Sequence, residues 1–162
     1  MRKISVLVFL AIVACLHALV ASTVPIRRQT EASQSRNTPP YHDSAPTAAL
    51  PPTLDPSEFP DNRIAEVAYT LAAQIKTVLY QVPCYCGCDR RDHHDSLLTC
   101  YTTRHGEWCS ICQKEVIFCF REHNKGRSPA EIREAIGRGE AKKVDLEEAT
   151  RQFRLPADPV TK

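Results

Sequence analysis

Seven of the chain's eight cysteines fall within the 36 residues from Cys84 to Cys119. No other feature restricts the fold as strongly. The run "PCYCGC" at 83–88 sets Cys84, Cys86 and Cys88 at every second residue. In an extended segment those side chains would share one face; in a loop they would wrap around one centre. Cys100, Cys109, Cys112 and Cys119 follow, with His94 and His105 interspersed. Any fold must settle these sulfurs as ligands, redox partners or halves of disulfides.

The remaining sequence divides around this block. "MRK" and the apolar run from Ile4 to Ser22 read as an export signal, residues 1–22. Cleavage after Val20-Ala21-Ser22 would start the mature chain at Thr23. Alternatively Ile12-Val13-Ala14-Cys15 fits a lipobox, with Cys15 as the lipidated first residue. An uncleaved membrane anchor is a third reading. Each one places the rest of the chain outside the cytoplasm, in a periplasm or at a cell surface, and the lipobox would hold it on a membrane.

Residues 23–60 carry eight of the twelve prolines. With few large apolar groups, such a stretch cannot offset its ordering entropy. Residues 23–56 are therefore expected to form a disordered linker, reaching roughly 100 Å if fully extended at ~3.1 Å per residue. A formal charge of +2 from interspersed acids and bases gives no sign of a nucleic-acid surface.

The folded part is expected over 57–140, with 141–162 a C-terminal tail. Ile64, Val67, Ala68, Leu71, Ile75, Val78 and Leu79 recur at helical spacing, predicting a helix over 62–81 with Asp61 as N-cap and Pro83 as stop. A second helix is expected from Trp108 to about His123. Ser128-Pro129-Ala130-Glu131 combines an N-cap, a first-turn proline and a glutamate at N3, starting a third that ends at Gly137 or Gly139. "DSLLTCYT" at 95–102 suits a short helix. No strand alternation is present, so the class is all-α: a small cysteine-rich domain of three to four helices. About 80 residues with so thin an apolar content usually need disulfides or a metal.

Three chemistries compete for the cysteines. Disulfides suit a small exported domain, but seven is an odd number and C-x-C pairs would close very tight rings. A thiolate metal site fits the spacing better. C-x-C lets adjacent sulfurs chelate or bridge ions, and C-x-x-C at a helix start aims two more at one point. Soft sulfur with imidazole selects copper or zinc. Six cysteines and two histidines suffice for two four-coordinate zinc sites or one bridged copper cluster. Trp108-Cys109-Ser110-Ile111-Cys112 also has the form of a W-C-x-x-C redox motif, without the alternating strands and helices of that fold. Gln113 stands where c-type haem attachment needs histidine. Cys119, on the same helical face as Cys112, reads as a buried apolar side chain, and His123 as a partner of the helix C-terminus. Nothing in the sequence argues for hydrolysis or group transfer.

"PCYCGC" at 83–88, "HDSLLTCY" at 94–101, "HGEWCSIC" at 105–112 and "SPAEIREAI" at 128–136 together resemble the PCYCGC-motif family of bacterial secreted proteins and lipoproteins. The resemblance brings no mechanism, but it implies which residues matter: Cys84, Cys86, Cys88, His94, Cys100, His105, Cys109 and Cys112. It also favours lipidation of Cys15. The leading expectation is an extracytoplasmic protein that holds copper or zinc for storage, delivery or stability, with an unidentified donor or acceptor protein as partner. A disulfide-stapled interaction module comes second and a thiol–disulfide oxidoreductase using Cys109 and Cys112 third.

Overall fold

A computed structural model describes residues 38–153. The export signal, Cys15, residues 23–37 of the linker and the end of the tail lie outside the described residues. Within them the chain is helical, with no strand.

The apolar stripe after residue 63 forms α1 (Arg63–Gln74) and α2 (Lys76–Tyr80). The single helix expected over 62–81 is interrupted at Ile75, which leaves helical geometry at ψ 31°. Its carbonyl accepts from both Val78 and Leu79 N–H, so the second segment starts afresh. Ile75, Val78 and Leu79 are all buried, so the break sacrifices little burial and leaves no trace in the periodicity. The N-cap is Asn62, not Asp61: its side chain accepts from Ala65 N–H at 3.1 Å.

Beyond Pro83 come a short α3 (Cys88–Arg91), a 3-10 turn (Leu98–Tyr101) in the expected "DSLLTCYT" segment, and α4 (His105–Trp108). The second long helix, α5 (Ser110–Asn124), starts two residues later than expected, because Cys109 is extended and occupies the N-cap position. α6 (Pro129–Gly137) has the predicted capping box between Ser128 and Glu131. Several shorter elements thus accompany the three longer helices expected from sequence.

α1 and α5 pack against each other at the centre of the core, and α6 lies on α5. Phe59, Tyr69 and Tyr101 form an aromatic row beside them, with centroids 4.3 and 5.0 Å apart. The ordered structure continues past residue 140. A 3-10 turn (Glu140–Lys143) leads to α7 (Leu146–Gln152), which packs on α1 and α5, burying Ala149 and Thr150. Its few small apolar residues give no strong amphipathic signal, which is why the segment reads as a tail.

Residues 38–55 have no regular secondary structure, as their prolines dictate, yet they run along the helical surface. His42 stacks on Tyr80 at 3.7 Å, Arg133 covers the Tyr41 ring at 4.3 Å, and Leu54 N–H donates to the Tyr101 carbonyl. Composition alone sees the prolines, not these anchors. Among the described residues no helix is long and apolar enough to cross a membrane.

Candidate metal centre

Pro83 ends the second helix segment and sends the chain into a tight loop rather than a strand. Gly87 adopts φ 81°, a left-handed conformation that costs glycine little and folds Cys86 and Cys88 back towards one centre. His93, at φ 56°, makes a second left-handed bend, after which the buried His94 turns inward. Cys100 enters from the 3-10 turn, His105 from α4, and Cys109 and Cys112 from the first turn of α5.

All eight side chains singled out by sequence are brought together. Cys84 Sγ lies 3.3 Å from Cys86 Sγ and 3.4 Å from Cys112 Sγ; Cys88 Sγ lies 3.6 Å from Cys100 Sγ. His94 Nδ1 is 3.3 Å from Cys100 Sγ, and His105 Nε2 is 3.4 Å from Cys86 Sγ. A disulfide requires about 2.05 Å; the cysteines here are free thiols at contact distance. Sulfurs arranged tetrahedrally about a zinc at ~2.3 Å sit about 3.8 Å apart, close to the spacing found.

The cysteines fall into two groups, and Asp92, His94 and His105 form a third set that shares His105 with the first. Cys86, His105, Cys109 and Cys112 have ligand atoms mutually within 4.8 Å, and so do Cys84, Cys88 and Cys100. His94 extends the second group through Cys100. The first group thus offers three sulfurs and one imidazole and the second three sulfurs with His94 beside Cys100, donors that soft or borderline ions prefer.

Six adjacent thiols cannot all ionise together without a cation. Cys86 and Cys88 are held low, Cys88 down to about 3, because neighbouring thiols, Cys100 foremost, donate to their sulfurs. Cys112 is pushed up by Cys100, Cys109 and Cys86 together with burial, against a lowering contribution from Cys84. The sulfurs contact one another as thiol donors and acceptors, and a metal ion would replace the protons they share. Cys109 lies above its ordinary value: donation from Cys112, which lowers it, is outweighed by Cys86 and by burial. An attacking thiol needs the opposite shift.

Two acidic residues that carry no signal in the sequence support the cluster. His105 presents Nε2 to Cys86 and Nδ1 to Asp92 Oδ2, 3.5 Å away. Metal-ligating histidines commonly make this carboxylate contact, which fixes the ring and its tautomer. Glu115, buried on α5, accepts Tyr85 N–H at 3.0 Å and ties the cysteine loop to the helix. Burial raises its carboxyl to about 8, against the lowering effect of that N–H. Neither role is legible from spacing, since the contacts span 13 and 30 residues. Tyr101 supports the other side, its hydroxyl donating to the Cys112 carbonyl at 2.8 Å. Cys119 stays apart from the cluster, fully buried in the apolar core.

A family model described as a protein of unknown function with PCYCGC motif matches residues 4–145. No curated protein and no solved structure gives a match.

Proposed function

This chain belongs to the PCYCGC family, and we propose that it is an extracytoplasmic metal-binding protein holding copper(I) or zinc through Cys84, Cys86, Cys88, His94, Cys100, His105, Cys109 and Cys112. One observation carries the reading: eight soft or borderline donors from separate segments converge within contact distance, and the cysteines among them are free thiols. Several of these groups are buried, and polar groups in a core are costly unless they find partners. Bound metal ions would supply those partners. The apolar run at 4–22 supports an exported chain, lipidated on Cys15 in the leading version. Sulfur-dominated ligation with imidazole suits storage or hand-over of copper, and it equally suits a zinc that holds the fold.

The disulfide module is the second reading, supported by the export signal and by the contact of Cys84 with Cys112. Elemental analysis and a thiol count on one anaerobically purified sample of the full chain separate the two. The metal reading predicts stoichiometric copper or zinc and thiols that become titratable once the ion is removed. The module predicts no metal and an intact mass reduced by the hydrogens lost to S–S bonds.

Asp92→Asn tests the orienting contact on His105. Loss of such partners typically weakens metal affinity about 10–100-fold, and the half-exposed Asp92 should fall near the lower end. Competition with a colorimetric chelator should show that loss with the metal stoichiometry intact. Unchanged affinity would mean that the His105 ring is oriented without it.

A further inference from the structure

The two donor groups meet solvent very differently. Cys84, Cys88, Cys100 and His94 are 3, 1, 0 and 7% exposed and lie among core residues such as Leu97, Leu98 and Tyr101. In the other group Cys86, His105 and Cys109 are half-buried and only Cys112 is fully enclosed. The chain around Cys109 is open: Trp108 is 78% exposed and Ile111 44%.

Resting on the metal reading above, we propose that the cluster takes two ions with divided roles. An inner ion under Cys84, Cys88, Cys100 and His94 is structural; an outer ion under Cys86, His105, Cys109 and Cys112 is the one exchanged at the surface. Loading a zinc at either group forms three thiolate–metal bonds and one imidazole–metal bond, and the thiol protons pass to solvent. Removing the outer ion leaves donors that water can reach and solvate, so the helices remain packed. Removing the inner ion leaves three sulfurs and an imidazole buried without a cation, and folding free energy is lost with it. The contact between Cys84 and both Cys86 and Cys112 joins the two groups, so the inner ion also keeps the outer donors in position.

The test uses the full chain, reduced and loaded with zinc. After a strong colorimetric chelator is added, zinc release and far-UV circular dichroism are followed together. Two zincs per chain are expected. One should leave in a fast phase with helicity unchanged, and the second in a slow phase in step with loss of helicity. Cys109→Ser should abolish the fast phase and keep the slow one. Binding of a single zinc, release of both in one phase, or a fast phase that survives Cys109→Ser would overturn the division while leaving metal binding standing. Failure to bind either zinc or, in a parallel loading, copper(I) would instead remove the metal reading on which the division rests.

Discussion

Stripping the metal from the reduced chain is expected to abolish most of its helical signal. The apolar core is thin, and four of the proposed ligands, Cys84, Cys88, Cys100 and Cys112, belong to it. The ligands also join segments that otherwise share little: the loop after α2, the 3-10 turn at 98–101, and the starts of α4 and α5. Structural zinc contributes about 10–16 kcal/mol in small metal-folded domains, whereas net folding stability is typically only ~5–15 kcal/mol. Loss of the ions therefore removes a contribution as large as the whole stability. Circular dichroism should collapse on treatment with a chelator strong enough for thiolate-bound metal, and recover when zinc is returned. A metal-free, reduced chain with full helicity and an unchanged Tm would show that the helices need no ion.

Cys100→Ala and Cys119→Ala should differ sharply although they delete the same atom from equally buried sites. Both side chains are 0% exposed. Cys119 packs within α5 among apolar groups, so its loss removes little more than buried surface, about 1 kcal/mol, a shift of a few degrees in Tm. Cys100 touches both Cys88 and His94. Without it the inner donors fall from four to three, the ion is weakened or lost, and several kcal/mol follow, as when a structural metal site is broken. Thermal melts with metal analysis on both variants make the comparison. Equal Tm shifts with equal retained metal would place Cys100 with the packing residues instead.

Much of this was legible in the sequence because it is locally encoded. The Ser128–Glu131 capping box needs only four consecutive residues, and α6 begins where they specify. Cysteines have so few roles in a small domain that their spacing, together with the resemblance to the PCYCGC family, points to Cys84, Cys86, Cys88, Cys100, Cys109 and Cys112. Cys119 separates from them because it follows the buried face of a long helix. What escaped depends on juxtaposition. Ile75 breaks a stripe whose apolar period runs on unchanged, and α7 buries mainly small residues. Tyr41 and His42 hold a proline-rich segment to the surface through the Arg133 guanidinium and the Tyr80 ring, both contributed by helices. Asp92 and Glu115 are two carboxylates among many acidic side chains, and only their nearness to His105 and to the Tyr85 amide distinguishes them.

The Pro83–Cys88 hexapeptide accordingly works as a cradle rather than a row. Gly87 supplies the reversal, Glu115 fixes the loop through Tyr85, and the first turn of α5 brings Cys109 and Cys112 to close it. Anionic sulfur at a helix N-terminus also gains from the helix dipole, which favours thiolate over thiol at Cys112 once a cation is present to share.

X-ray absorption at the edge of whichever metal co-purifies with the chain tests sulfur convergence on an ion most directly. The expected first shell is dominated by sulfur at about 2.3 Å, with a minority of imidazole nitrogen near ~2.0–2.1 Å. A shell of oxygen and nitrogen alone, or a metal-free chain whose cysteines are paired as S–S bonds, would contradict it.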